Sequence, residues 1–175
     1  RVWDSATVVE GHHLDGPFNR SAALNRAARL ADEQGQWETA IIADADSFTS
    51  PPQLTGAIHL AKSTGRVVIA HSRWVNVEPD ENLLDCGYLV HRDERATFDF
   101  TVSSMLVIPR RVWDLVNGFD ERFSGWGRED NAFIRAVKIL DAPPLRIDGT
   151  VYHLAHERPD EDVNRHSSPQ FRAND

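Results

Sequence analysis

The sequence predicts an α/β fold, a sheet covered by helices on both faces, and three observations carry that prediction. Thr39-Ala-Ile-Ile-Ala43 is a continuous apolar run of strand length, the pattern of a buried strand, and Arg66-Val-Val-Ile-Ala70 reads as the next strand. The segments between and around them carry apolar residues at helical spacing, opened by capping residues and closed by glycine. Strand and helix patterns alternate along the chain, as they do in layered α/β domains. In such folds ligands collect beyond the carboxyl ends of the strands.

Each element has a local justification. Thr7-Val-Val-Glu10 reads as a short strand closed by Gly11. Asn19 caps a helix to about Gln34, with Ala23, Leu24, Ala27, Ala28 and Leu30 as apolar positions and Gly35 as the stop. The run Thr39–Ala43 ends in Asp44, and Ser50-Pro-Pro announces a helix with proline in its first turn. Leu54, Ala57, Ile58 and Ala61 give that helix its buried stripe. Residues 76–98 are polar and irregular, a long excursion suited to lid or substrate contacts. Ser103–Ile108 resumes the sheet, and Pro109–Val116 is a short helix ended by Asn117-Gly118. Glu129 to about Leu140 is a further helix burying Phe133, Val137 and Leu140, and Leu145–Ile147 is the last strand. Residues 1–158 read as one domain and 159–175 as a polar tail.

Composition narrows the function. A chain of 175 residues with 41% hydrophobic and 26% charged residues is an ordinary globular domain with a sizeable core. A net charge of −8 disfavours a nucleic-acid partner, which needs a basic footprint. The same charge disfavours holding a diphosphate with protein groups alone, an objection that a bound cation removes. No apolar run approaches the roughly 20 residues of a membrane span. The single Cys86 excludes an internal disulfide and fits a reducing compartment, read as cytoplasmic. The opening Arg1-Val-Trp-Asp reads like the middle of an element, as though a first strand lay upstream.

Three groups of residues carry chemistry. Asp44 and Asp46 follow a buried strand and, if extended, point to the same side, a hard-oxygen pair suited to Mg2+ or Mn2+ on phosphate; an Asp-X-Asp also arises as a solvated turn. His153 and His156, three apart, can join one metal from a helical turn or bent loop, although lone histidines are more often surface residues; His12-His13 reads as loop. In Gly125-Trp-Gly-Arg-Glu-Asp130 the glycines allow close backbone approach and an exposed Trp126 can stack on a sugar ring. Asp130 falls in a first helical turn, where the dipole favours its ionised form and makes it a candidate general base. The alternative is that Trp126 is core and Glu129-Asp130 merely complement the dipole.

Pro17-Phe-Asn-Arg-Ser-Ala-Ala-Leu-Asn25 resembles the Phe-Asn-Arg-Ala-X-X-X-Asn segment of the β-1,4-galactosyltransferase family. Asn117-Gly-Phe-Asp-Glu-Arg-Phe-Ser-Gly-Trp-Gly-Arg-Glu-Asp130 resembles that family's Asn-Gly-Phe…Trp-Gly-Trp-Gly-Gly-Glu-Asp-Asp block. With the Asp-X-Asp and the late histidine pair, four motifs follow in the family's order from residue 17 to 156, and bacterial family 2 glycosyltransferases share parts of the pattern. The resemblance implies a GT-A fold, a mixed Rossmann-like sheet here lacking its first strand, a UDP-sugar donor, Mn2+ (or Mg2+), and a saccharide or other hydroxyl acceptor. It implies that Phe18 and Arg20 contact the uridine part and that Asn25 supports their helix. Asp46, His153 and His156 would hold the metal, with Asp44 near nucleotide or sugar. Trp126 and Gly127 would line the sugar pocket, Glu129 would orient substrate and Asp130 would act as base.

Three departures matter. Ser124 replaces the first tryptophan of the family block, Asn131 replaces its next aspartate, and the first nucleotide-binding strand would lie before Arg1. The reading is therefore an inverting, metal-dependent glycosyltransferase with an altered acceptor pocket. Its rivals are a retaining enzyme resembling polypeptide GalNAc-transferases, a sugar nucleotidyltransferase, a metal-dependent phosphohydrolase and a non-catalytic carbohydrate-binding module.

Overall fold

The computed structural model describes residues 6–77, 101–125 and 127–156. Its elements are α1 (Arg20–Gln34), β1 (Thr39–Ala43), β2 (Ser47–Phe48), α2 (Pro51–Thr64), β3 (Val68–Ile69), β4 (Arg73–Val77), β5 (Met105–Pro109), α3 (Arg110–Val116), α4 (Glu129–Leu140), β6 (Leu145–Arg146) and β7 (Thr150–Leu154). Local chemistry sets most helix ends. The Asn19 and Ser50 side chains accept from the main-chain N–H groups of Ala22 and Gln53, satisfying donors that the first turns of α1 and α2 leave open. Gly65 and Asn117 close α2 and α3 in the left-handed conformation.

Two sheets result. The larger has the order β1-β5-β3-β6, with β5 antiparallel to β1 and β3, and β3 parallel to β6. Period-two alternation along β5 divides the core. Leu106 and Ile108 join Ile42, Val112, Phe119, Phe133, Ile134 and Val137 on the face carrying α3 and α4. Met105 and Val107 join Leu54, Ala57, Ala61 and Val151 on the opposite face, under α2. The expected α/β sheet with helices on both faces is therefore present. The smaller sheet, β2-β7-β4, has β7 at its centre, antiparallel to β2 and parallel to β4.

Several sequence expectations need correction. Thr7–Glu10 forms no strand: Val8 is exposed and the segment instead crosses α1, where a Cβ on Gly11 would stand 1.8 Å from the Ala23 carbonyl oxygen. Leu140 is exposed together with Ile139, because the last turn of α4 projects beyond the stripe formed by Phe133, Ile134 and Val137. The excursion assigned to 76–98 starts later, since Asn76 and Val77 complete β4. Its remainder, and the tail 159–175, lie outside the described residues.

Two predictions follow from the packing. Phe133 stacks on Phe119 at 4.3 Å with the rings nearly parallel, so Phe133→Ala should cost about 3–5 kcal/mol in urea denaturation. His71 is fully buried beyond β3; its Nε2 meets Thr101 Oγ1 at 2.9 Å, and Nδ1 has no partner among the described residues. Burial, reinforced by Arg146, lowers its pKa to about 4. The unfolded imidazole takes its proton near pH 6.5 and the folded one only near 4, so stability should fall as pH drops through that window. The loss is on the order of 3 kcal/mol, and His71→Gln should flatten it.

Candidate active site

Arg20, the first residue of α1, sits where the end of β1 meets the start of α4. Its Nη2 donates to Asp44 Oδ1 at 2.7 Å and its Nη1 to Asp130 Oδ1 at 2.7 Å, with Glu129 Oε1 3.5 Å away. All four side chains are largely withdrawn from solvent. Burial alone would lower the Arg20 pKa, but Asp130 and Asp44 more than offset it and hold the guanidinium charged. Asp130 shows the opposite balance. Burial raises its pKa to about 6, and Arg20 opposes the rise only in part. Desolvation, a tertiary effect that the local sequence does not carry, thus opposes the helix dipole, and with a pKa of about 6 the carboxylate is still ionised at neutral pH.

Asp44 and Asp46 do not lie side by side on an extended segment. The Ser47 N–H donates to the Asp44 carbonyl at 3.0 Å, closing a tight turn, and the two carboxylates diverge. Asp44 goes to Arg20, whereas Asp46 Oδ2 lies 3.1 Å from His153 Nε2 and 3.2 Å from His156 Nε2. Strand pairing produces this second group. Register sets Ser47 opposite His153, and the Leu154 N–H donates to the Asp46 carbonyl at 2.8 Å. His153 therefore belongs to a strand, not to a helical turn or loop.

One carboxylate and two imidazoles form a donor set that suits a first-row divalent cation. Two donors bonded side by side to one ion at about 2.1 Å each stand about 3 Å apart, so the observed separations fit a shared ion with little movement. The three candidate ligand atoms lie within 4.8 Å of one another. Two neighbours of His153 escaped the sequence reading. Trp74 lies against its ring at 4.9 Å between centroids, and Asn76 Oδ1 is 3.1 Å from its Nδ1. The only hint was their alternation along β4, a segment with mixed polarity.

The loop before α4 is fastened to α1. The Gly125 N–H donates to the Phe18 carbonyl at 2.7 Å, and Asn19 Nδ2 donates to the Glu121 carbonyl at 2.7 Å. Asn25 accepts from the Phe119 N–H and donates to the Phe119 carbonyl and to Glu121. Asn25 therefore faces the loop. Gly118, at φ +71°, passes so close that a Cβ would stand 2.5 Å from Asn25 Oδ1. Gly125 and Gly127 also have positive φ, as does Arg128 at +78° immediately before α4. Phe18 projects into solvent beside this loop, whereas Trp126 lies outside the described residues.

Removing the Arg20 charge should leave Asp44 and Asp130 facing each other without compensation. Arg20→Met is expected to lose about 3–5 kcal/mol at pH 7 and less at pH 5, where Asp130 is protonated; denaturant melts at both pH values test this.

Comparison with known proteins fits this geometry. Residues 93–157, a little over a third of the chain, match a family model described as the N-terminal domain of galactosyltransferase. That stretch includes Asp130, His153 and His156, and the contacts above join it to Arg20, Asp44 and Asp46, which lie outside it. No curated protein matches the chain. Among 17 matching chains of solved structures is the catalytic domain of Drosophila β1,4-galactosyltransferase 7 in complex with xylobiose. It has a TM-score of 0.50 and 19% sequence identity over 77% of this chain. The present chain spans about half of that one, 47%. The structural likeness is one of fold, that of a galactosyltransferase catalytic domain.

Proposed function

We propose that this chain is catalytic in a metal-dependent, inverting glycosyltransferase that moves a sugar from a UDP-sugar to an acceptor hydroxyl. The observation that carries the reading is a juxtaposition. One turn, Asp44–Ser47, sends Asp46 to a two-histidine metal pocket and Asp44 to the Arg20–Asp130 pair, so a cation site and a buried carboxylate adjoin. A displacement at the anomeric carbon of a nucleotide sugar needs both. The matched galactosyltransferase family supports the nucleotide-sugar donor, and the disaccharide bound to the similar Drosophila domain supports a saccharide acceptor.

Asp46, His153 and His156 would hold Mn2+ or Mg2+, which when bound would neutralise charge on the departing diphosphate. Two imidazoles among three protein ligands favour Mn2+ over the harder Mg2+. Asp130 accepts the proton of the acceptor hydroxyl as that oxygen forms its bond to the anomeric carbon. The bond from that carbon to the phosphate oxygen breaks, UDP leaves, and the configuration inverts in a single displacement. Glu129 orients the acceptor. Arg20 holds both Asp130 and Asp44, the latter turned toward the nucleotide or sugar, and the exposed Phe18 ring is available to stack on uracil. Gly127 is proposed to line the sugar pocket, a role the family resemblance also assigns to Trp126, with Ser124 and Asn131 altering acceptor choice. Among the described residues no helix is long and apolar enough to cross a membrane, and the lone Cys86 favours a reducing, cytoplasmic setting.

A panel of UDP-sugars assayed for UDP release with Mn2+, Mg2+ or chelator tests the reading. Metal-dependent release that Asp46→Asn loses supports it; release of inorganic phosphate without an acceptor would move the assignment to a phosphohydrolase. Asp130→Asn should lower kcat by about 10²–10⁴-fold while sparing donor binding. Because the unprotonated carboxylate is the base, kcat should rise with pH through about 6, following the raised pKa of Asp130. An α-configured product from an α-configured donor would instead indicate a retaining enzyme.

A further inference from the structure

We infer that Asn76 is a positioning residue that determines which nitrogen of His153 faces the metal pocket; this rests on the metal-dependent reading above. The parallel pairing of β4 with β7 sets Asn76 directly opposite His153, while β2, on the other side of β7, sets Ser47 opposite the same residue. A line of polar side chains runs from Asn76 on β4 through the His153 ring on β7 to Asp46, the residue before β2. The distances are 3.1 Å from Asn76 Oδ1 to Nδ1 and 3.1 Å from Nε2 to Asp46 Oδ2.

The two ring nitrogens are not equivalent in such a line. A neutral imidazole carries one proton, and only the bare nitrogen can bind a cation. The Asn76 carbonyl oxygen can only accept, so it retains a proton on Nδ1 and makes Nε2, the nitrogen beside Asp46, the one left bare when a cation takes the place of the proton between them. Outer partners of this kind set the ligand tautomer and raise its basicity. Trp74 supplies the complementary constraint. Its ring lies tilted against the imidazole, and its Nε1 donates to Ser104 Oγ at 3.2 Å, which limits rotation of the His153 ring. Asn76 sets the proton and Trp74 sets the plane.

The test uses Zn2+ as a diamagnetic probe and the full chain with 15N-labelled histidine. In the wild type with Zn2+, His153 should show its proton on Nδ1. Asn76→Ala should weaken Zn2+ and Mn2+ binding by calorimetry about 10–100-fold and, with Zn2+, loosen the restriction of the His153 proton to Nδ1. Asn76→Asp retains an acceptor at the same place and should bind at least as tightly as wild type. A thermal melt establishes that each variant is folded, and Asn76→Val, suited to a strand and without an acceptor, replaces the alanine variant if that one is not. Wild-type affinity in the alanine or valine variant would overturn the inference alone, as would a folded Asn76→Asp that binds tenfold more weakly. A wild type that binds neither ion would overturn the metal reading and this inference with it.

Discussion

The site depends on one cation, the Arg20 guanidinium. It bridges Asp44, at the end of a strand, and Asp130, at the start of a helix, and lies beside Glu129. Three carboxylates gathered in a half-buried space would repel one another and protonate or separate. Arginine suits the position because its planar fork offers separate N–H groups to different acceptors and its charge survives burial. Through it α1, β1 and α4, elements far apart in sequence, are held at one point.

The second half of the site is held by backbone. The pairing of β7 with β2 and β4 places His153 between Asp46 and Asn76, and the turn at Asp44–Ser47 links this pocket to the Arg20 cluster. The arrangement separates two electrostatic tasks. A group of hard and borderline donors collects on one side of the turn, suited to a cation, and a buried carboxylate with a raised pKa stands on the other. The loop that leads into α4 is fixed to α1 by Asn19 and Asn25, so the helix carrying Arg20 and the helix carrying Asp130 are held in register by main-chain contacts as well as by charge.

What could be read from the sequence was what local chemistry decides. Asn19 and Ser50 cap their helices, Asn117-Gly118 ends α3, and the apolar run Thr39–Ala43 is a strand with those bounds, because each depends on neighbours a few residues away. The smaller sheet was not legible: β2 has only two residues and β4 mixes arginine, tryptophan and asparagine, so neither shows a clean period. The candidate site divides in the same way. Asp46, His153, His156 and Asp130 stood out by residue type and spacing, but the divergence of Asp44 from Asp46 follows from a turn, and the Asn76–His153 contact joins residues 77 positions apart. For Asp130 the helix dipole is visible in sequence, whereas the burial that raises its pKa is not.

The most direct measurement of the central claim is a 13C NMR titration of the aspartate carboxyl groups in the wild-type protein and in Asp130→Asn. The account predicts one aspartate with a midpoint near 6, absent from the variant, because Asp130 is desolvated at the Arg20 bridge. If every aspartate titrates near 4, Arg20 fully offsets the desolvation of Asp130, and the poised carboxylate with a raised pKa on which the proposed pH dependence rests does not exist.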